Sequence, residues 1–165
     1  PQEILYARHY WYMAGVTDTM RAALRDVVDS ACERVALRRG DVALDIGSND
    51  GTLLRCYDAK DVTKVGVEPA VNLEDQCRTA CDVFIPDFWS ADAYFRHVGK
   101  RKAKIITACG MFYDLEDPNA FIEGVADVLH PDGVFVAQMQ CLKQMVVLKD
   151  VGNLAHEHFE FYRLE

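Results

Sequence analysis

Residues 42–51 are VALDIGSNDG, a short apolar run from Val42 to Ile46 that ends at a glycine. An unbroken apolar run of this length is typical of a strand buried on both faces, as in a parallel sheet. Gly47 and Gly51 allow the backbone to turn sharply after the strand and to come close to a ligand. The segment therefore predicts a buried strand followed by a ligand-binding loop.

The rest of the chain repeats this unit on both sides of the loop. Helices are predicted over 17–38 (capped by Thr17, with Gly40 just past the end), 71–79 and 90–98, and a fourth starts at Pro118 behind the N-cap Asp117. Strands are predicted at 65–69, 82–86, 104–109 and, after a turn at 131–133, at 134–139. Strands that alternate with helices predict an α/β fold, a doubly wound and mostly parallel Rossmann-like sheet.

Composition limits the function classes. The 165 residues suffice for one domain, half of them are hydrophobic, and the net charge is −8. An acidic chain of this kind argues against nucleic acid or an anionic membrane as the main partner. No apolar run approaches the roughly 18–20 residues of a membrane span, and the first residues do not have the layout of a signal peptide. The six cysteines form no C-x-x-C pair, so free thiols in a reducing cytoplasm are expected.

The carboxyl ends of the strands are the expected ligand site, because open α/β sheets bind ligands there. Asp45 lies near the end of the first strand, and Glu68 closes the second strand 21 positions after Gly47. A carboxylate at Glu68 can accept hydrogen bonds from both ribose hydroxyls of an adenosine. The sequence thus predicts an adenosine-containing cofactor.

The glycine loop favours S-adenosylmethionine over a nicotinamide cofactor. The G-x-G-x-x-G fingerprint, which rests a pyrophosphate on a helix N-terminus, is absent, and Asp50 at that place would repel a pyrophosphate. S-adenosylmethionine has no phosphate and carries an ammonium and a sulfonium. The alternative is that Asn49 or Asp50 merely caps the next helix, which leaves backbone contacts to a ligand possible.

Six segments in order resemble the class I C-methyltransferases that modify nucleotide-linked deoxysugars, and a broad set of their relatives. They are Tyr10-Trp11-Tyr12, DIGSNDGTLL (45–54), GVEPAVNL (66–73), MFYDLEDPNAF (111–121), LHPDGVF (129–135) and HEHFEFY (156–162). The likeness covers nearly the whole chain. It implies an S-adenosylmethionine-dependent transferase with a small-molecule acceptor, a nucleotide-linked sugar.

The resemblance also implies roles for individual residues. Asp87 and Phe88 would lie beside the adenine, and Ala108 and Cys109 would follow the fourth strand. With Asp45, the predicted cofactor contacts are Gly47, Asn49, Gly51, Glu68, Pro69, Asp87, Phe88, Ala108 and Cys109. For catalysis, His158 would be the general base and Glu157 would grip the sugar, with His156 beside them and Tyr12 closing the pocket.

The same resemblance implies a longer protein, in which a small zinc-binding region precedes this cofactor domain and a sugar-binding domain follows it. Residues 1–165 would form the single cofactor domain: an aromatic segment and helix (1–40), the Rossmann-like core (41–140) and the His-Glu-His segment (141–165). The last strands of the sheet would lie outside this chain. The fifth strand would then be an exposed edge, which predicts self-association.

Two departures from the deoxysugar enzymes concern the acceptor. Ala155 stands where those enzymes have a tyrosine before His-Glu-His, and Tyr113 stands where they have a histidine after the fourth strand. Methylation of a carbon beside a carbonyl needs a base, and an imidazole suits that task at neutral pH; methylation of a hydroxyl could use the same base.

Other interpretations stay open at this point. The histidines could be surface or hydrogen-bonded loop residues, or two histidines and a carboxylate could bind a metal, although consecutive ligands give poor geometry. The aromatic residues Tyr10, Trp11 and Tyr12 could be a patch that covers the core. The rival function classes are a nicotinamide oxidoreductase and a non-catalytic binding module.

Overall fold

A single parallel sheet organises the chain in the computed structural model, which describes residues 2–8, 10–152, 158 and 160–163. Its strands are β1 (Val42–Ile46), β2 (Thr63–Val67), β3 (Val83–Ile85), β4 (Ala103–Cys109) and β5 (Leu129–Gln138). Their spatial order is β3-β2-β1-β4-β5, and every neighbouring pair is parallel. The predicted α/β class and the doubly wound parallel sheet are confirmed.

Helices connect the strands. They are α1 (Asp18–Arg34), α2 (Glu74–Arg78), α3 (Ala91–Val98), α4 (Pro118–Val128) and α5 (Leu142–Leu148). The side chains of Thr17, Ser90 and Asp117 each accept a backbone N–H at the start of a helix, as N-caps do. In the described part of the chain, no helix is both long and apolar enough to cross a membrane.

The two faces of the sheet carry separate hydrophobic clusters. Helices α3 and α4 pack on one face, where Tyr94, Phe121 and Val125 are buried with β1 and β2 side chains. Helix α1 covers the other face through Leu24 and Val28. All five residues of β1 are buried, as the continuous apolar run predicts. This central strand fixes the loop that follows it.

Helix α1 ends four residues earlier than predicted, at Arg34. Val35 already has extended backbone angles (φ −139°, ψ 109°), in keeping with the weak helix propensity of a β-branched residue. Gly40 (φ +87°) does not cap the helix, because its N–H donates to the carbonyl of Asp61 at 2.9 Å. That glycine belongs instead to the turn that leads into β1.

Strand β5 begins five residues earlier than predicted, at Leu129. Its register against β4 passes from the pair Ala103/Leu129 to the pair Ile105/Val134, so the expected turn at 131–133 forms an irregularity within the strand. Helix α5 lies within residues 141–165, for which the sequence predicts only the His-Glu-His segment.

The strand order reverses between β1 and β4. The chain proceeds from β1 outward to β2 and β3, then returns to place β4 on the other side of β1. Loops after β1 and β4 therefore diverge and leave a crevice at the carboxyl edge of the sheet, where ligands bind in this architecture.

Candidate functional site

A cavity of about 1040 Å³ lies at this carboxyl edge. The ends of all three central strands reach it, and residues from the N-terminal segment and from the end of the chain complete its wall. Of the predicted cofactor contacts, the ones that line it are Asp45, Gly47, Asn49, Glu68, Pro69, Phe88 and Cys109. The structure thus brings together residues that are up to 64 positions apart in the sequence.

The loop after β1 is shaped by backbone conformation. Gly47 has φ +71°, and the N–H groups of Gly47 and Ser48 both donate to the carbonyl of Val67, at 2.9 and 3.0 Å. A β-carbon at Gly47 would lie 3.2 Å from Cγ of Met111. A side chain there would narrow the cavity, so glycine keeps the loop close to whatever the cavity holds.

Gly51 does not line the cavity. It has φ +78°, and a β-carbon on it would lie 2.5 Å from Cβ of Ala80 and 3.3 Å from Cα of Cys77. The glycine therefore lets the loop pack closely against the end of α2. Gly51 thus contacts the protein behind the loop. The predicted contact of Gly51 with the cofactor is not supported, because this residue is not on the cavity wall.

Glu68 is buried at the end of β2, with 6% of its surface exposed, and faces the cavity. One carboxylate oxygen accepts the N–H of Asn49 at 2.8 Å and the other accepts the N–H of Ala70 at 2.9 Å. Burial raises the pKa of Glu68, while these two hydrogen bonds oppose the rise. Each oxygen keeps a lone pair for a further donor.

Asp45 is a second buried acid on the cavity wall, one residue before the end of β1. The hydroxyl of Thr107, on the neighbouring β4, donates to its carboxylate at 2.6 Å. Burial raises the pKa of Asp45 to about 7, with a smaller contribution from the charge of Glu68, against the hydrogen bond from Thr107. Asp45 and Glu68 thus share one cavity, whose other acidic lining residues are Asp114, Glu116 and Asp117.

The side chains of Asn49 and Asp50 turn to the N-terminal segment. Asn49 accepts the N–H of Ala14 at 2.9 Å and donates to the carbonyl of Tyr12 at 3.0 Å. Asp50 accepts the N–H of Gly15 at 2.8 Å and that of Thr52 at 3.0 Å. The Asp50 side chain therefore does not lie on the cavity wall, where the sequence analysis expects it to repel a pyrophosphate.

Of the two residues predicted to lie beside the adenine, Asp87 and Phe88, only one lies on the cavity wall. Phe88 lines the cavity, whereas Asp87 does not. The Asp87 carboxylate accepts the N–H of Phe88 at 2.8 Å and lies 3.8 Å from the guanidinium of Arg96. Of the two cofactor contacts predicted at the end of β4, Ala108 and Cys109, again only one lies on the cavity wall. Ala108 is fully buried in the core, and Cys109 reaches the wall, where burial raises the pKa of its thiol to about 12.

Aromatic residues near the N-terminus form one wall. Tyr12 lines the cavity together with Tyr10 and Tyr6, while Trp11 is 87% exposed. Burial raises the pKa of the Tyr12 phenol, with the charge of Asp50 acting in the same direction. Tyr6 was missed by the sequence analysis, because it lies outside the clustered aromatic motif.

His158 also lines the cavity. Its ring centroid is 4.5 Å from that of Tyr113, in an edge-to-face arrangement. The N–H of Glu160 donates to the carbonyl of Tyr113 at 3.1 Å, and the N–H of Leu142 donates to that of Tyr162 at 2.8 Å. The first bond joins residues 160–163 to the loop after β4, and the second joins them to the start of α5. The other predicted catalytic residues here, His156 and Glu157, lie outside the described residues.

Gln138 and Gln140 also line the cavity, from the end of β5. Neither glutamine is among the predicted site residues, although residues that close the fifth strand lie at the same carboxyl edge of the sheet as Glu68. The described residues contain no group of three or more His, Cys, Asp or Glu side chains placed to hold a metal ion.

The model of a family described as "Methyltransferase domain" matches residues 17–165. The C-methyltransferase NovU of Streptomyces niveus is 28% identical over 158 residues, which are 94% of this chain and 37% of that protein. This chain therefore spans little more than a third of the curated relative that it matches.

Solved structures show the same fold at low identity. The cyclopropane synthase MmaA2 of Mycobacterium tuberculosis has a TM-score of 0.61 and 20% identity, over 96% of this chain and 61% of that chain. A SAM-dependent methyltransferase of Geobacter sulfurreducens, solved with S-adenosyl-L-homocysteine, has a TM-score of 0.53 and 19% identity, over 78% and 50% of the two chains. Both support the Rossmann-like architecture.

Proposed function

Because this chain belongs to the family of methyltransferase domains, we propose that it binds S-adenosylmethionine in the 1040 Å³ cavity and serves methyl transfer to a small molecule. The acceptor that we propose is a nucleotide-linked deoxysugar, methylated at a carbon or a hydroxyl. Residues 1–165 would be the cofactor domain of a longer protein that acts in the cytoplasm. The free state of all six cysteines supports that location.

The observation that carries the proposal is the placement of Glu68. A buried carboxylate is costly unless it is hydrogen-bonded, and this one is held in place by two backbone N–H groups while it faces the cavity. Its remaining lone pairs suit the two hydroxyls of a ribose. The adjoining glycine at 47 leaves room beside the loop for the rest of the ligand.

The charges of the cavity fit S-adenosylmethionine better than a nicotinamide cofactor. Asp45 and Glu68 line it, and no lysine or arginine is among the lining residues in the described part of the chain. A pyrophosphate would therefore meet carboxylates without a compensating cation. An ammonium or a sulfonium would meet favourable charge.

A second group of polar residues on the cavity wall suits a neutral, hydroxyl-bearing acceptor. These residues are Gln138, Gln140, Tyr113 and His158. Oε1 of Gln140 is buried and has no hydrogen-bond partner among the described residues, which is unusual for a native structure and suggests that a ligand donor supplies the partner. The diphosphate of a nucleotide-linked sugar would have to be held outside this cavity.

His158 is the residue that we propose as general base. Bound S-adenosylmethionine supplies an electrophilic methyl group, and the acceptor must lose a proton as that group is transferred. The contact with Tyr113 restrains the imidazole ring, so that it can face the acceptor and take the proton. Glu157 and His156 are proposed as its partners from the family resemblance alone.

Isothermal calorimetry on the purified chain tests the proposal. Micromolar binding of S-adenosylmethionine or S-adenosylhomocysteine is expected, and none of NAD. Replacing Glu68 by Ala should weaken binding by about 1–3 kcal/mol, because ribose hydroxyls lose their acceptor. Glu33→Ala, on the exposed surface of α1, is the control and should bind like the wild type. Clear NAD binding, or unchanged affinity in Glu68→Ala, would refute the assignment.

A further inference from the structure

The N-terminal strap, residues 10–16, lines the cavity but belongs to no strand of the sheet. Its first four residues belong to no helix or strand, and only a short 3-10 turn, Ala14–Val16, follows them. Yet Tyr10, Tyr12 and Ala14 line the same cavity as Glu68. A wall built from irregular backbone needs other groups to hold it in place.

Asn72 holds the strap at Tyr10 through two hydrogen bonds. Its Oδ1 accepts the backbone N–H of Tyr10 at 2.9 Å, and its Nδ2 donates to the backbone carbonyl of the same residue at 2.9 Å. The Asn72 amide thus satisfies both backbone groups of Tyr10, as the backbone of a neighbouring strand does in a sheet. Asn72 lies in the short turn Val71–Leu73, whose last residue is buried, so the amide projects from a fixed base.

Asn49 makes the matching pair of bonds further along the strap, to Ala14 and Tyr12. The backbone N–H of the same Asn49 donates to Glu68 at 2.8 Å. Asn49 therefore both holds the Glu68 carboxylate, which we propose binds the ribose, and fastens the strap. Asn72, only four positions after Glu68, fastens the strap at Tyr10.

We propose that Asn72 is a positioning residue for the cofactor: its amide holds the tyrosine-bearing strap as a wall of the cavity and thereby sets how long the cofactor stays bound. The inference rests on the proposed function. Asn72 itself does not line the cavity, so its effect on the cofactor must pass through the strap. Asn49 lines the cavity directly and would give an ambiguous result.

The test measures S-adenosylhomocysteine dissociation by surface plasmon resonance for wild type, Asn72→Ala and the control Asn119→Ala, an exposed asparagine on α4. Loss of two hydrogen bonds predicts dissociation about ten-fold faster in Asn72→Ala and unchanged in the control. Hydrogen exchange should accelerate over residues 10–16 in Asn72→Ala, with the melting temperature within about 3 °C of the wild type.

A second variant, Asn72→Asp, separates positioning from general stability. It keeps the acceptor for the Tyr10 N–H but, when ionised, has no donor for the Tyr10 carbonyl; when protonated, the carboxyl can donate again. Its dissociation rate relative to wild type, measured at each pH, should therefore fall between pH 7 and pH 4, where a carboxyl with the usual pKa of about 3.9 is roughly half protonated. A ratio that does not depend on pH would overturn the inference.

The outcomes distinguish the two proposals. If the wild type binds neither S-adenosylmethionine nor S-adenosylhomocysteine, the proposed function fails and the inference fails with it. If the wild type binds and Asn72→Ala releases the ligand at the wild-type rate, only the role of Asn72 is refuted. Accelerated exchange throughout the domain, in place of the strap alone, would also refute it.

Discussion

Replacing Asp45 by Asn should make the stability of the domain less dependent on pH. Burial raises the pKa of Asp45 from 3.8 to about 7. Between these values the folded state holds a proton that the unfolded state has released, so the free energy of unfolding falls as pH rises from about 4 to 7. Below pH 4 both states are protonated, and the penalty is absent.

The size of the effect follows from the same values. A difference of about 3 pKa units corresponds to about 4 kcal/mol at 1.36 kcal/mol per unit. About 2–3 kcal/mol of this total falls between pH 5 and pH 8, since the unfolded carboxyl is already largely ionised at pH 5. The side-chain amide of the Asp45→Asn variant could still accept the Thr107 hydroxyl, so the packing around β1 should be preserved.

Urea unfolding at pH 5 and pH 8 measures the effect. The wild type should lose about 2–3 kcal/mol more than Asp45→Asn between the two pH values. Asp127→Asn, an exposed site on α4, is the control and should follow the wild type. Because Glu68 titrates in all three proteins, the comparison isolates Asp45. Equal pH dependence in wild type and Asp45→Asn would refute the argument that desolvation controls this carboxyl.

Three further predictions concern catalysis, packing and assembly. In a full-length protein with its acceptor, His158→Gln should lower turnover by roughly 10²–10⁴-fold and leave the calorimetric affinity for S-adenosylmethionine within about a factor of two; reduced affinity with intact turnover would make the histidine structural. Gly51→Ala should destabilise the domain by about 2–4 kcal/mol in urea unfolding, because the new β-carbon meets Ala80 in a left-handed conformation. Gly40→Ala, with open space around it, should cost only about 1 kcal/mol, and equal costs would contradict this. Strand β5 ends the sheet in the described part of the chain, so concentration-dependent self-association is expected in sedimentation velocity; a monomer at all concentrations would contradict it.

The strands and the ligand-bearing edge could be predicted because each depends on local sequence. The continuous apolar run of β1 reports burial on both faces, and alternating strands and helices limit the connection to a parallel sheet. The position of Glu68 follows directly, since the carboxyl ends of parallel strands share one edge. The end of α1 was missed by four residues, because propensity near a helix terminus is decided by small differences in backbone free energy.

The polar residues of the glycine loop could not be assigned from sequence for a physical reason. Asn49 and Asp50 are the kinds of residue that bind ligands, cap helices or hold distant backbone, and each role uses the same lone pairs and N–H groups. Which partner is present depends on where residues 12–15 lie, and no local pattern fixes the path of an irregular segment. In the folded chain that segment comes within 2.8–3.0 Å of both side chains. The cavity charge thus comes from Asp45 and Glu68, which the ends of β1 and β2 place at its edge, together with Asp114, Glu116 and Asp117 after β4. The loop side chains of Asn49 and Asp50 instead join the cofactor site to the strap.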